Sequence, residues 1–274
     1  MSIKFEKLQE ETLIDVAKLC AAAVLKAPQI TGRVKFEMEI LRTEELPPLI
    51  EALMILGRLH MFCMLSVAAY STALQEGKPV VILLIGASGL RQSELNWNCG
   101  ACGFKTCGEF NAYAKTIKEP PVGALIHGPV CNWKMIDYAQ GCTWACATAW
   151  ANNVTNRIEI ASGMAAKAIG YLEHCDVVHG LPLGPMEELY WYSRRFINQF
   201  MTYDLWKARL QEMFGVLFQT FVGDGRTDLK VTDDWWAQRH TSRVQPVNME
   251  EFEEMKKGIA RDIEELKKRV KGGK

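Results

Sequence analysis

The ten residues Asn98-Cys-Gly-Ala-Cys-Gly-Phe-Lys-Thr-Cys107 hold three of the chain's nine cysteines. Their spacing is C-x2-C-x4-C, and Cys131 follows after a further 23 residues. Thiolates are the ligands an iron–sulfur cluster requires, and four of them hold a [4Fe–4S] cube. Gly100 and Gly103 come directly after cysteines, where a loop wrapping a cluster must turn sharply and can aim backbone N–H groups at sulfur. Zinc is the competing chemistry, but structural zinc sites favour paired C-x2-C knuckles, and this stretch has one such pair. For the fourth thiolate the residues leave three contenders: Cys131, just after the Gly128-Pro129 turn, and Cys142 and Cys146. The last two share a face at i, i+4 of an expected helix and also read as small buried hydrophobes. Cys20, Cys63 and Cys175 lie in apolar stripes and read as core.

Bulk composition narrows the setting. The formal net charge is zero and 49% of the 274 residues are apolar, so a sizeable core is expected and neither nucleic acid nor an anionic membrane is an expected partner. The apolar run from Val80 to Ala87 is far too short to span a bilayer, and the charged start of the chain lacks the apolar centre of a signal peptide. A soluble cytoplasmic protein is expected. An odd number of cysteines crowded mid-chain then argues for metal rather than disulfides. An oxygen-sensitive cluster suits an anaerobic setting.

The elements that must position the cysteines are mixed. Apolar residues from Leu8 to Val24 recur at helical period, and Lys26-Ala-Pro28 ends that helix. Residues 34–41 alternate apolar and charged, as a half-buried strand does. Thr43 caps a second helix running toward Tyr70, and Pro79–Gly86 is a continuous apolar run, expected as a buried central strand. The cysteine loop follows, then a helix from Thr106 to Lys118, a strand over 122–127, a small-residue helix from Asp137 to about Asn152, and a short strand at 158–160. A second small-residue helix over 162–173 and a strand over 177–183 complete the core. The fold class expected is α+β, with a core over residues 1–185 and a helical, aromatic-rich extension over 186–274. Within that extension, Gly223–Asp228 reads as a turn rather than a calcium loop, lacking the closing Glu. Asn248 resembles a helix cap, and the final helix packs on its own domain or offers a stripe to a partner.

With these residues in view, the chain resembles a prokaryotic family described as containing a ferredoxin domain. The resemblance rests on Asn98–Cys107, Cys131-Asn-Trp-Lys-Met-Ile-Asp137, Thr155-Asn-Arg-Ile158 and Gly163-Met-Ala-Ala166, and spans about residues 5–185. It implies a cluster ligated by Cys99, Cys102, Cys107 and Cys131. Asp137, Asn156 and Arg157 follow the same pattern and read as a buried Arg–Asp pairing. A fainter likeness, carried by Ala27-Pro28 and Leu181-Pro-Leu-Gly184, is to the nitroreductase-like flavoproteins. It implies a three-layer sandwich, a homodimer and FMN at the dimer interface. The basic motif that grips the flavin phosphate has no counterpart, since Arg33, Lys35 and Arg42 are basic but unpatterned.

Around the ligands, Trp97, Phe104 and Trp133 are expected to shield a cluster from water. Lys105 and Lys134 read as solvated lysines, the alternative being that they offset a negative cluster or contact a partner, and His127 reads as a loop histidine satisfied by its neighbours. Three functions follow as expectations. The first is electron transfer, alone or as a subunit of an anaerobic oxidoreductase with a redox partner protein. The second is a flavin-dependent reductase fed by the cluster. The third is a structural or sensory cluster. No Ser/His/Asp triad, phosphate loop or catalytically spaced carboxylate pair argues for hydrolysis or phosphoryl transfer.

Overall fold

The computed structural model describes residues 4–60, 62–120, 123–187, 190–193 and 249–272. The chain divides into two compact units, residues 1–194 with 258–274, and residues 195–257. Nearly all of the second unit lies outside the described residues. So do the Gly223–Asp228 turn, the Asn248 cap and the aromatic run from Phe196 to Trp206 expected there.

The first unit is α+β, built on a three-stranded antiparallel sheet of order β1-β2-β3. β1 is Lys35–Leu41, β2 is Val81–Ser88 and β3 is Val177–Leu183. β2 lies in the centre and is buried along almost its whole length, which is why its sequence shows no polar alternation. β1, at the edge, alternates: Phe36, Met38 and Ile40 pack into the core while Lys35, Glu37 and Glu39 take the other face.

Helices cover both faces. α1 (Phe5–Lys26) and α5 (Asn132–Ala151) pack together on one, where Leu13, Val16, Ala17 and Val24 meet Val81, Leu83, Ile85 and Ala87 of β2. The other is covered by α6 (Ile160–Ala168), with α2 (Leu46–Leu56) and α3 (Phe62–Gln75) packed against it. The small residues of α6 allow close approach, since a Cβ added at Gly163 would fall 2.1 Å from the Val178 carbonyl oxygen. α4 (Cys107–Thr116) follows the cysteine loop, α7 (Tyr190–Ser193) follows β3, and α8 (Met249–Gly272) ends the described chain. From Gly258 onward α8 belongs to the first unit. It buries Ile259, Ile263 and Leu266, and it pairs Asp262 with Arg58 and Arg269 with Glu51. Its apolar stripe packs on its own chain.

Several expected elements take other forms. The helix capped by Thr43 is interrupted: a 3-10 turn (Thr43–Glu45) leads into α2, and the chain turns after Gly57 before α3 begins. Met64 packs against that turn, its sulfur 2.7 Å from where a Cβ on Gly57 would stand. The expected strands at 122–127 and 158–160 reduce to single bridges, Ile126 with Val177 and Glu159 with Gly180, before α6 starts at Ile160. Among the described residues, no helix is long and apolar enough to cross a membrane.

Candidate metal centre

The chain leaves β2 at Ser88 and enters the stretch that carries the cysteines. Three contacts pin its first half. The Leu90 N–H donates to Asp176 at 2.8 Å, just before β3. Ser93 and Asn111 of α4 exchange two hydrogen bonds at 2.7 and 2.9 Å. The Lys134 ammonium of α5 donates to the carbonyls of Gly89 and Gln92 and to the Glu94 carboxylate, at 2.9, 2.7 and 2.7 Å. Lys134 is only 2% exposed, so the solvated lysine expected there is instead a buried clamp. Its sequence neighbour Trp133 offers no hint of this; the direction of Lys134 becomes legible only once α5 begins at Asn132.

The second half turns through left-handed backbone at Asn96, Asn98, Gly100 and Gly103, with φ between 49° and 85°. Asn tolerates that region and Gly adopts it freely, so the tight path follows from residue type. The turns aim backbone donors inward, as in anion-binding nests. The Ser93 hydroxyl donates to Cys107 Sγ at 3.5 Å, and the N–H groups of Asn98, Trp97 and Asn96 add to it. Together they hold the Cys107 thiol below its ordinary range, against a smaller opposing effect of burial. The Asn98 side chain also accepts the Cys107 N–H at 2.9 Å.

Two helix N-termini converge on this place. Cys107 opens α4, whose cap Thr106 accepts the Glu109 N–H at 3.1 Å. Cys131 is the N-cap of α5, and its N–H donates to the Leu90 carbonyl at 2.8 Å. A helix N-terminus carries partial positive charge and favours thiolate over thiol. Asn132 ties α5 to the loop by donating to the Ala101 carbonyl. The Trp133 indole N–H donates to Cys99 Sγ at 3.3 Å, and the Trp97 ring meets Trp133 edge-on, with centroids 6.1 Å apart.

Cys99, Cys102, Cys107 and Cys131 all line one cavity, together with Trp97, Phe104 and Trp133. Among the described residues the three metal-ligand atoms lying within 4.8 Å of one another are elsewhere, at Glu37, His174 and Cys175.

The other contenders for the fourth thiolate lie away from the cavity. Cys142 and Cys146 are on the inner face of α5, packed with Cys20 of α1. Burial, opposed in part by the neighbouring Tyr138 hydroxyl, pushes the Cys142 thiol up to about 12. Asp137 is fully buried, but the expected arginine partner is replaced by the loop after α1. Its carboxylate accepts the N–H groups of Ile30 and Thr31 at 2.5 and 2.8 Å and the Thr31 hydroxyl at 2.5 Å. Two aligned backbone donors satisfy a carboxylate without a counter-ion. His127 stands beside Arg91, its Nδ1 3.4 Å from the guanidinium, and burial followed by the Arg91 charge lowers its pKa. Arg91 also donates to the Ala114 and Ile117 carbonyls at the end of α4. Ser93, Asn111 and Arg91 belong to no motif in the sequence, whereas Thr106-x-x-Glu109 is a legible capping pattern.

No solved structure matches this chain. An "Uncharacterized protein" of Archaeoglobus fulgidus is 35% identical over 117 residues, which cover 43% of this chain and 59% of that relative. The chain thus spans about three fifths of the length of the relative it matches. Residues 127–192 match the profile of a family described as "Uncharacterized protein containing a ferredoxin domain". The matched stretch takes in Cys131, α5, α6 and β3, while Cys99, Cys102 and Cys107 precede it. Over that stretch the chain is similar to proteins whose description names a ferredoxin domain.

Proposed function

We propose that Cys99, Cys102, Cys107 and Cys131 ligate one [4Fe–4S] cluster and that the protein transfers electrons, alone or as a subunit of a larger oxidoreductase. The observation that carries this reading is the gathering of four sulfurs, from two separate parts of the chain, around one cavity at two helix N-termini. The similarity over residues 127–192 supports it independently. When bound, such a cluster accepts and releases single electrons.

The chain's own groups serve that task in separable ways. Ser93 and the backbone donors of residues 96–98 lower the proton affinity of the Cys107 thiol. The positive ends of α4 and α5 offset negative charge at the cavity. Trp133, Trp97 and Phe104 limit water at its rim. Trp97 is 48% exposed and stands at the edge a redox partner protein would approach.

Purification without air, followed by iron and acid-labile sulfide analysis, tests the reading. Four irons and four sulfides per chain, with a reducible paramagnetic signal, are expected for one such cube. A colourless, iron-free chain, or zinc held by the same four sulfurs, overturns it.

A further inference from the structure

A second group of metal-ligating side chains stands apart from the cysteine loop. Glu37 of β1, with His174 and Cys175 in the turn before β3, bring an oxygen, a nitrogen and a sulfur within 4.8 Å of one another. We propose that these three residues form a binding site for one zinc-like divalent cation, with its remaining position open to water.

The scaffold under the site is the sheet itself. Glu37 lies directly opposite Gly86 of β2 in the antiparallel register. Gly86 has no side chain, and the Cys175 sulfur occupies the room this leaves; a Cβ on Gly86 would fall 2.7 Å from it. Cys175 is therefore fixed beneath the other two donors and is 1% exposed. The side chains of His174 and Glu37 are 61% and 39% exposed, so the upper side of the site is open to an arriving ion. The Ser88 hydroxyl donates to the second Glu37 oxygen at 3.5 Å, which orients the carboxylate.

The donor set selects the kind of ion. Calcium and magnesium take oxygen ligands, whereas imidazole with a single thiolate suits zinc and its neighbours in the first transition row. Three protein ligands leave the fourth tetrahedral position vacant, the pattern of reactive rather than purely structural zinc sites. Binding displaces the thiol proton to solvent and separates Glu37 from His174, whose Oε2 and Nε2 are 2.6 Å apart.

The test does not depend on the cluster reading. Full-length protein purified without air is titrated with zinc chloride, and zinc X-ray absorption reads its ligands. The expected result is one tightly held zinc whose shell contains one sulfur with nitrogen and oxygen. Glu37→Gln and His174→Asn, both at exposed positions, should each weaken zinc binding by about tenfold or more. Cys175→Ser should remove sulfur from the shell. Failure to hold zinc at all, a shell of several sulfurs, or zinc binding indifferent to Glu37→Gln and His174→Asn would overturn the proposal. In the last cases Glu37 and His174 form an ordinary surface ion pair. A four-sulfur shell would also count against the cluster, whereas absence of zinc from iron-loaded protein would leave the cluster reading untouched.

Discussion

The cysteine cavity and the seam between α1 and α5 use the same atom for opposite ends. At the cavity, Cys107 and Cys131 stand at helix N-termini, and Cys107 has hydrogen-bond donors aimed at its sulfur. In the seam, Cys20 and Cys142 are buried among apolar side chains, and burial pushes each up to about 12. Helix N-termini and aimed N–H donors favour the thiolate form of a free thiol, whereas burial among apolar side chains favours the neutral thiol. The environment of the sulfur, not its place in a spacing pattern, separates Cys131 from Cys142 and Cys146.

The sharpest way to break that contrast is to exchange the losses. Cys107→Ser should abolish iron binding, because a hydroxyl is a poor substitute for a thiolate ligand. Cys142→Ala should keep the parent's iron content and lower unfolding stability by about 1 kcal/mol, the scale of a small deleted buried group. Iron per chain in anaerobic preparations of both variants decides the matter. If Cys142→Ala loses iron while Cys107→Ser keeps it, the assignment of the two regions is reversed.

Buried charge marks a second difference. At the cavity end Lys134 is buried yet satisfied by two carbonyls and a carboxylate. Lys134→Met should cost about 3 kcal/mol in denaturant unfolding, since removal of one partner strands the others. Lys105, exposed in the same loop, should tolerate Met within about 0.5 kcal/mol. A loss for Lys134→Met no larger than for Lys105→Met would mean the clamp does not hold the loop.

The seam, by contrast, has no room for charge. Burial lowers His179 to about 4, and its Nδ1 lies 2.9 Å from the Tyr138 hydroxyl, which donates to the Ile85 carbonyl. The unfolded chain protonates this histidine near pH 6.5, while the folded chain resists to about 4. Between those values the unfolded state holds the extra proton, so stability is complete above pH 6.5 and falls as the pH drops toward 4. The loss should be on the order of 2–3 kcal/mol. Unfolding midpoints of the parent and His179→Gln across pH 4–7 measure it as a difference. Parallel curves would place His179 in contact with water.

Which parts of this were legible in the sequence depends on how local the cause is. The continuous run of β2 and the alternation of β1 state their burial directly, and both stand where expected. The cysteine loop is legible because its cysteines and turn residues are adjacent. The single bridges at Ile126 and Glu159 differ from the strands their pattern suggests, because isolated apolar triplets carry no signal for how much partner strand is free. Lys134 and Asp137 depart from their expected settings for one reason. Each finds its partners about 40 and about 107 positions away, in loops whose return to α5 no periodicity records. The Glu37, His174 and Cys175 group is hidden in the same way, because its members meet only through the β1–β2–β3 register.

The smallest expected effect concerns Trp133. Its indole donates to Cys99 Sγ at 3.3 Å, and Cys99 is itself exposed. A donor to a ligand sulfur stabilises the reduced, more negative state more than the oxidised one, so it raises the potential. Trp133→Phe keeps an aromatic shield and removes only the N–H. If the difference between the two states is about 1 kcal/mol, the scale of one net hydrogen bond, the midpoint should fall by about 40 mV for a one-electron couple. Trp97→Phe, which touches Trp133 but donates to no ligand sulfur in the structure, should leave the midpoint nearly unchanged. A redox titration followed by paramagnetic resonance separates them. Equal shifts would assign both rings to water exclusion alone, because shielding is the property they share and the N–H is the one they do not.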